Sequence, residues 1–297
     1  MRRGVRRDIV VKSILGLLVL IILALVLRSV YAYAFFRITS TTLGENGWSP
    51  AGSNPAVQID EDMTFEASYL VFKVGSVRFQ VLGKTKYDSL PSYRLRAYID
   101  SYSGFPFVDF HSVYDTYADE NTLYCLYNSR SQKDGQSWVY TTTRFQPDHG
   151  IIIWDQTRDG KFIREVELPL ETNYTNGVSF IYYLRNMCLR AEGRQTALDI
   201  PIIDDTVRSS VKLVIDEKRE PCTVAAFGYP VDSYRLSGHI NFIGTFGITG
   251  DFVGWMAADS TALPLRADVK VFLGKVVVQL KEVKRAGGIP PRQAGNE

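Results

Sequence analysis

Residues 122–168 have the sequence TLYCLYNSRSQKDGQSWVYTTTRFQPDHGIIIWDQTRDGKFIREVEL, in which two Asp-Gly pairs separate runs of alternating polar and apolar residues. Asp-Gly favours the tight turns of β-hairpins, because both residues tolerate the positive φ angles that such turns require. The pairs Asp134-Gly135 and Asp159-Gly160 therefore predict two hairpins in succession. The predicted strands are 122–130 with 137–145, and 150–157 with 161–168.

The same two-residue period continues on both sides of this stretch. Apolar residues alternate with polar ones over 64–71 and again over 77–81, which predicts a hairpin that turns at Val74-Gly75. The further predicted strands are 93–100, 266–272 and 275–283, the last two joined across Gly274. Short connections between neighbouring strands predict an antiparallel sheet throughout.

One stretch has the period of a helix. In VSFIYYLRNMCLR, residues 178–190, apolar residues recur at three-and-four spacing, and Asn176 stands where an N-cap is expected. A single helix against a large antiparallel sheet is typical of a curled sheet. We therefore predict an all-β, mainly antiparallel fold, a single curled sheet or an open or half barrel with about one helix. Its concave face is either filled by side chains or encloses a ligand.

The charge of the chain is unevenly distributed. The 297 residues carry a formal net charge of +2, and 45% of them are hydrophobic and 22% charged, as in an ordinary folded protein. Residues 1–37 hold seven basic side chains against one acidic, a net charge of +6, so the remaining 260 residues carry −4. A near-neutral chain with a mildly acidic main part has no basic footprint for nucleic acid, and we predict no nucleic-acid partner.

The basic N-terminal segment contains the uncharged run SILGLLVLIILALVL, residues 13–27, and apolar residues continue over 30–36 beyond Arg28. A run that is apolar on every face predicts either a single membrane anchor or the h-region of a secretory signal, with Ala32-Tyr33-Ala34 as the cleavage site after Ala34. Both alternatives keep the basic residues in the cytoplasm and place the rest of the chain outside.

The composition also divides the chain into segments. We predict a cytoplasmic basic end plus anchor or signal over 1–37, a linker over 38–57 that is rich in Gly, Ser, Thr, Asn and Pro, an antiparallel β domain over 58–284, and a disordered tail over 285–297.

The three cysteines are widely spaced and form no C-x-x-C pair, so zinc and thioredoxin-like chemistry are not indicated. Outside the cytoplasm one disulfide among Cys125, Cys188 and Cys222 is one alternative, and three reduced, buried thiols are the other.

Four segments in order resemble a known family. The opening QIDEDMTFEASYLVFKVGSVRFQV, the stretch YRLRAYIDSYSGFPFVD, the helix IYYLRNMCL and the close GITGDFVGWMAADSTALPLRADVKVFLGKVVVQL are similar to the bacterial cell-envelope family called domain of unknown function 3108, over about residues 57–283. The usual opening Gly-Glu is Asp60-Glu61 here, and the basic residue usual before the closing proline is Ala262 or Leu263. The resemblance implies an all-β envelope domain and supplies no catalytic residues. It places the chain in the bacterial inner membrane with the main domain periplasmic, or in the periplasm after signal cleavage.

The residues themselves give few candidates for chemistry. Asp109, His111 and Ser112 are the ingredients of a hydrolase triad, but neighbours in a strand alternate faces and cannot meet. We predict no catalytic residue, metal site or cofactor. The candidate ligand-binding residues are His239, which would point into the concavity near Trp255 or Asp251, and Arg94 and Arg96, which share one strand face. That face is either solvated or, if it points inward, a site for an anion or a lipid headgroup.

Two classes of function remain. In the first, the protein is not an enzyme and its curled sheet holds an apolar ligand such as a lipid, which predicts a concave apolar pocket of several hundred cubic ångströms. In the second, it is a structural or assembly factor that binds another envelope protein through a sheet edge or an apolar patch. A hydrolase is a less favoured alternative, and it requires His239 or His111 to lie beside a carboxylate or hydroxyl in a cleft.

Overall fold

The computed structural model describes residues 54–102, 110–242, 249–270, 275–286 and 288–292, all within one compact unit that comprises residues 50–297. In chain order the strands are β1 (Asp62–Tyr69), β2 (Phe72–Tyr87), β3 (Leu90–Ser101), β4 (His111–Asp119), β5 (Cys125–Asp134), β6 (Ser137–Gln146), β7 (Ile151–Arg158), β8 (Lys161–Pro169), β9 (Thr196–Asp204), β10 (Val207–Thr223), β11 (Pro230–Ile240), β12 (Gly250–Ala257), β13 (Pro264–Lys270) and β14 (Lys275–Lys284). The helix α1 (Ser179–Ala191) lies between β8 and β9.

The fourteen strands form one antiparallel sheet in the order β8-β7-β6-β5-β4-β3-β2-β1-β14-β13-β12-β11-β10-β9. The last strand returns to pair with the first, so that Phe65 lies opposite Leu280 and Tyr69 opposite Val276. Strands β8 and β9 are the two edges, and the sheet is not closed. Within the described residues, the predicted all-β, antiparallel architecture with one α-helix is confirmed.

Both Asp-Gly turns are confirmed. Gly135 and Gly160 adopt φ angles of 62° and 75°, the left-handed region that favours glycine, and the strands on either side pair as predicted. The carboxylate of Asp159 also accepts a hydrogen bond of 2.8 Å from the backbone N–H of Trp138, which ties the second turn to the first hairpin.

The predicted turn of the first hairpin is wrong. The chain turns at Leu70-Val71, where Tyr69 pairs with Phe72, and Gly75 lies within β2. A Cβ at Gly75 would lie 2.5 Å from the carbonyl oxygen of Asp100 in β3. This glycine is therefore explained by the close approach of a neighbouring strand and not by a turn.

Alternate turns of an antiparallel sheet lie at opposite ends. The helix end contains the start of β1, the turns β4–β5 and β12–β13, and the first and last described residues. The hairpin end contains the turns β1–β2, β5–β6 and β7–β8.

Helix α1 lies inside the curl at the helix end. The side-chain oxygen of Asn176 accepts hydrogen bonds from the backbone N–H groups of Val178 (3.2 Å) and Ser179 (2.8 Å), which confirms the predicted cap. Tyr182 packs with the core residues of β1–β4, and Leu184 packs with those of β9–β12. The helix therefore fills the space between the two halves of the sheet.

A buried ion pair connects the helix to the start of β1. The guanidinium of Arg185 donates to both carboxylate oxygens of Glu61 and, at 2.9 Å, to the carbonyl oxygen of Thr261. Both side chains of the pair are fully buried, and Arg285 reaches the same carboxylate at 3.2 Å. Four segments of the chain thus meet at this ion pair.

The sheet edges approach each other without pairing along their length. Asp205, in the turn between β9 and β10, accepts hydrogen bonds from Arg130 at 2.9 Å and from the indole of Trp154 at 3.3 Å. Thr175 forms a single parallel bridge with Ile202. These contacts hold the curl in the shape of an open barrel.

The predicted anchor or signal segment and most of the predicted linker lie outside the described residues, as does the end of the tail. Within the ranges that are described, no helix is long and apolar enough to cross a membrane.

Candidate apolar ligand surface

Strand alternation divides the side chains into a concave and a convex set. Phe65, Leu280 and Leu236 belong to the concave set, which faces α1, and all are buried. Residues one position away, such as Arg266 and Trp255, belong to the convex set. The helix half of the concave face is therefore packed solid.

The half of the concave face nearer the hairpin end is only partly covered. We call it the open concave surface, and most of its side chains are small or apolar and partly exposed, whereas Val269 on the same face is only 3% exposed. It comprises Ala67, Tyr69, Ile99, Gly238, Ile240, Phe252, Gly254, Ala267, Val276 and Val278. It contains no Asp, Glu, Lys, Arg or His, so an apolar group can lie on it without desolvating a charge.

Glycines shape this surface. Gly238 lies opposite Phe252, and a Cβ at Gly238 would be 2.8 Å from the ring of Phe252 and 2.5 Å from the carbonyl oxygen of Lys212. The ring therefore occupies the space that a side chain would need. Gly254 differs, because the nearest atoms to a Cβ there are 3.8 Å and 3.9 Å away. A Cβ at Gly254 would therefore make only ordinary van der Waals contacts and no clash.

At the hairpin end, the concave face on the other half of the sheet is polar. Concave positions of β5 and β7 carry Arg130, Gln132 and Gln156, and Asp205 from the β9–β10 turn lies among them. Burial beside this group raises the pKa of Tyr114 to about 12. The apolar character is thus confined to β9–β14 and β1–β3.

Two cavities of about 470 and 460 Å³ lie elsewhere. The first is lined by Arg219, Asp232 and Asp259 with the C-terminal Pro290–Arg292, and the second by Asp216, Glu217, Lys218 and Arg235 among others. Both are lined by charged side chains. Neither matches the apolar pocket expected in the concavity.

Arg94 and Arg96 lie on the convex face. Arg96 forms a bidentate pair with Asp115 (3.0 and 2.8 Å), and Arg94 approaches the same carboxylate at 3.5 Å and lies over the ring of Tyr117. The strand face that carries both arginines is therefore the outward, solvated one. An inward headgroup site at these arginines is wrong.

His239 and Trp255 also lie on the convex face, which corrects the expected inward direction of His239. His239 Nδ1 is 2.6 Å from Asp251, and the hydrogen bond with His239 lowers the pKa of that carboxyl. Trp255 donates its indole N–H to Glu220 and lies under the guanidinium of Arg266. The four predicted ligand residues therefore do not converge on one site.

The His–carboxylate pairs stand on an open sheet face. His111 Nδ1 is 2.7 Å from Asp100, in the same arrangement as His239 and Asp251, and all four side chains are between 42% and 65% exposed. Neither pair lines a described cavity. In the part of the chain that the structure covers, no group of three or more His, Cys, Asp or Glu could hold a metal ion.

The cysteines are free, buried thiols, which decides between the two alternatives left open. Burial raises the pKa of Cys188 to about 12 and that of Cys222 to about 11, and it also raises the pKa of Cys125. Thiols held protonated in this way are poor nucleophiles.

Sequence reasoning missed a concentration of exposed apolar side chains at the hairpin end. Of the eleven large apolar side chains that are exposed in the described residues, seven lie in or beside its turns. They are Leu70, Val71, Phe72, Trp138, Tyr140, Phe162 and Ile163. Because Val71 continues the alternation of β1, the sequence pattern places it within the strand, and only the position of the turn shows that it is exposed.

In the described residues these features define a class: an unclosed antiparallel sheet curled around one helix, filled at the helix end and partly exposed at the hairpin end. The chain belongs to the family described as Protein of unknown function (DUF3108), whose model matches residues 64–281. This confirms the resemblance noted in the sequence. No enzymatic activity is attached to the family by that description.

Three solved structures are similar in fold. A β-barrel-like protein of domain of unknown function DUF1849 from Brucella abortus has 7% identity and a TM-score of 0.49, over 77% of this chain and 98% of that one. An exported-protein candidate with a YmcC-like fold from Bacteroides fragilis (10%, TM-score 0.31, 77% and 97%) and a lipoprotein candidate from Parabacteroides distasonis (10%, TM-score 0.32, 79% and 100%) are more distant. No protein of curated function matches.

Proposed function

We propose that this protein is an envelope protein, anchored in or exported across the bacterial inner membrane, that holds an apolar ligand such as a lipid acyl chain against the open concave surface. The observation that carries the proposal is the contrast within the concave face, where buried bulky side chains give way to partly exposed Ala, Gly and Val without any charged residue. When an acyl chain covers exposed apolar surface, the free energy falls by about 25 cal/mol for each Å² removed from water.

The ligand binds along an open face and not in a closed cavity. Phe252, Ile240 and Val278 supply the walls, and Gly254 and Ala267 supply the space. Binding of this kind exchanges readily with a membrane, because the ligand leaves without a lid having to open. The basic N-terminal end and the apolar run 13–27 support the location.

The test uses Gly254→Leu, which fills the free room at that position, because a Cβ there makes only ordinary contacts. The matched control is Val253→Leu, a neighbour on the convex face. We expect the full chain to bind cis-parinaric acid, and Gly254→Leu to weaken this by about tenfold or more, as expected for roughly 1.4 kcal/mol of lost contact, with Val253→Leu unchanged. Native mass spectrometry of the chain purified from membranes would identify a retained lipid.

Equal binding by Gly254→Leu and wild type, or no binding by wild type, would rule out this surface as the ligand site.

The second candidate, an assembly factor, is favoured by edge strand β8. Its nine residues are all at least partly exposed, including Phe162 at 66% and Ile163 at 51%, and an uncovered edge can accept a strand from another protein. Replacing Ile163 by proline would abolish such pairing and leave parinaric acid binding unchanged.

A further inference from the structure

The tip of the β1–β2 hairpin presents three consecutive large apolar side chains to water. Leu70, Val71 and Phe72 are 68%, 86% and 55% exposed. Contiguous apolar surface of this kind marks an interaction site more often than it occurs without a partner. Leu70 also adopts a φ of 54°, where glycine or asparagine is the unstrained choice. Backbone preference therefore does not explain a leucine at this turn position.

Lysines surround this apolar tip. Lys73 follows Phe72 directly, and Lys270 and Lys275 pair with each other across β13 and β14 next to Tyr69. The side chains of Lys73 and Lys275 are 65% and 55% exposed, whereas the carboxylates that they contact, Glu66 and Asp268, are nearly buried. Lys270 lies near Asp251, which is bonded to His239, and its charge helps to lower the pKa of that carboxyl.

We propose that this hairpin tip docks on a bilayer surface that contains anionic phospholipids. The three apolar side chains enter the region between the headgroups, and Lys73, Lys270 and Lys275 remain at the level of the phosphates. Each lysine near an anionic surface raises the equilibrium constant for docking by about fivefold. The lysines and the apolar tip therefore act together, and neither would hold the protein on the bilayer alone.

The position of the chain termini is compatible with docking on the membrane that carries the protein. The first described residues lie at the helix end, and β1, with its eight residues, separates them from the tip by about 27 Å. Sixteen residues, 38–53, lie between the predicted anchor and Asn54. Such a segment reaches up to about 55 Å when extended, which is enough to bring the hairpin end to the same bilayer.

Docking also goes beyond the proposed function and does not depend on it. The open concave surface lies at the same end of the sheet, so a docked tip would place that surface next to the lipid phase. The tip can dock whether or not a ligand is bound, and Gly254→Leu should dock like wild type. Loss of ligand binding and loss of docking are therefore separable results.

The test places a nitroxide spin label at Val71→Cys in the full chain. The three native cysteines are buried and their raised pKa values keep them protonated, so they do not compete for the label. The matched control is Leu90→Cys, at an exposed position (43%) at the helix end. Collision of the label with oxygen and with a water-soluble nickel complex reports whether it lies in lipid or in water.

With vesicles of phosphatidylethanolamine and phosphatidylglycerol we expect the Val71 label to lie in lipid and the Leu90 label in water. The double variant Lys270→Gln/Lys275→Gln should lower the ratio of docked to undocked tip by about 25-fold. Vesicles of phosphatidylcholine alone should also lower this ratio for the wild-type lysines. Asp268 keeps its bond to Arg266 in this variant, so the fold is retained.

A Val71 label that stays in water with the anionic vesicles overturns the proposal and leaves the tip as a contact for another protein. Lipid exposure of the Leu90 label in place of the Val71 label, or docking that is insensitive to the two lysines, overturns it as well.

Discussion

The two ends of the sheet use the same strands in opposite ways. At the helix end the concave face is filled by α1 and by large side chains such as Met63, Phe65 and Leu265, which are at most 5% exposed. At the hairpin end the same strands carry Ala67 and Ala267 on that face, and these are partly exposed. The same sheet thus contains a packed core at the helix end and a partly exposed apolar surface at the hairpin end.

The difference lies in a small set of concave positions and in how tightly each is packed. Along β11 the concave positions run from Tyr234 and Leu236 to Gly238, and along β12 from Met256 to Gly254. Side-chain volume falls in the middle of each strand, at Gly238 and Gly254, and rises again at Ile240 and Phe252 nearer the hairpin end, while apolar character is kept. A sheet that only needed to fold would fill that space, because packed interiors leave few voids.

The largest effect is expected at the helix end, from Arg185→Met. The substitution leaves Glu61 fully buried with Arg285 as its remaining cation, and breaking a buried pair costs about 3–5 kcal/mol. We expect the free energy of unfolding in urea to fall by about that amount. The matched control is Arg94→Met on the convex face, where an exposed pair contributes at most about 1 kcal/mol. Equal losses for the two variants would contradict the role of the buried pair.

A smaller loss of stability is expected from substitutions in β11, and it should differ between two residues on the same face of that strand. Leu236 is 1% exposed in the core, and Ile240, four residues nearer the hairpin end, is partly exposed. Leu236→Ala should lower the free energy of unfolding by about 2–5 kcal/mol, and Ile240→Ala by about 1 kcal/mol or less, since less contact is lost.

If instead Ile240→Ala were as costly as Leu236→Ala, the open concave surface would be part of the core and no ligand would be needed to cover it. A large drop in parinaric acid affinity with Ile240→Ala but little loss of stability would sharpen the distinction between the two ends.

Much of the fold was predictable from the sequence. Alternation and two Asp-Gly pairs predicted the hairpins of β5–β8, and the helix period with Asn176 predicted α1, because these signals are local. The order of strands in the remaining half was not predicted. It depends on the pairing of β1 with β14, residues more than 200 positions apart, for which no local signal exists.

The site was harder to predict, for a physical reason. His239, Trp255, Arg94 and Arg96 were chosen for their chemistry, but the register of the sheet turns all four to the convex face. Which face is concave depends on where α1 packs, and a single strand does not show this. The glycines and alanines that shape the open concave surface carry no chemical signal, so residue type alone could not find them.

The smallest effects concern pH and one carboxylate at each end. At the hairpin end burial opposes ionisation of Asp268, but hydrogen bonds from Arg266 and Lys275 keep its pKa below the usual value, and at the helix end the bond from Arg78 does the same for Asp62. A lowered folded-state pKa gives stability that is present above the ordinary carboxyl pKa of about 4 and is lost as the pH falls through the folded value.

Asp268→Asn and Asp62→Asn should therefore each lower the free energy of unfolding at pH 7 by about 0.5–1 kcal/mol, with the difference from wild type shrinking below pH 4. Hydrogen exchange distinguishes the two ends. Asp268 joins Arg266 of β13 to Lys275 of β14, so its loss should speed exchange in those strands, whereas loss of Asp62 should act on β1 and β2. Because α1 packs at the helix end and no described helix lies beneath the hairpin end, we expect the faster local opening there. Equal protection at both ends would mean that the uncovered face is as rigid as the core, and that small side chains alone distinguish it.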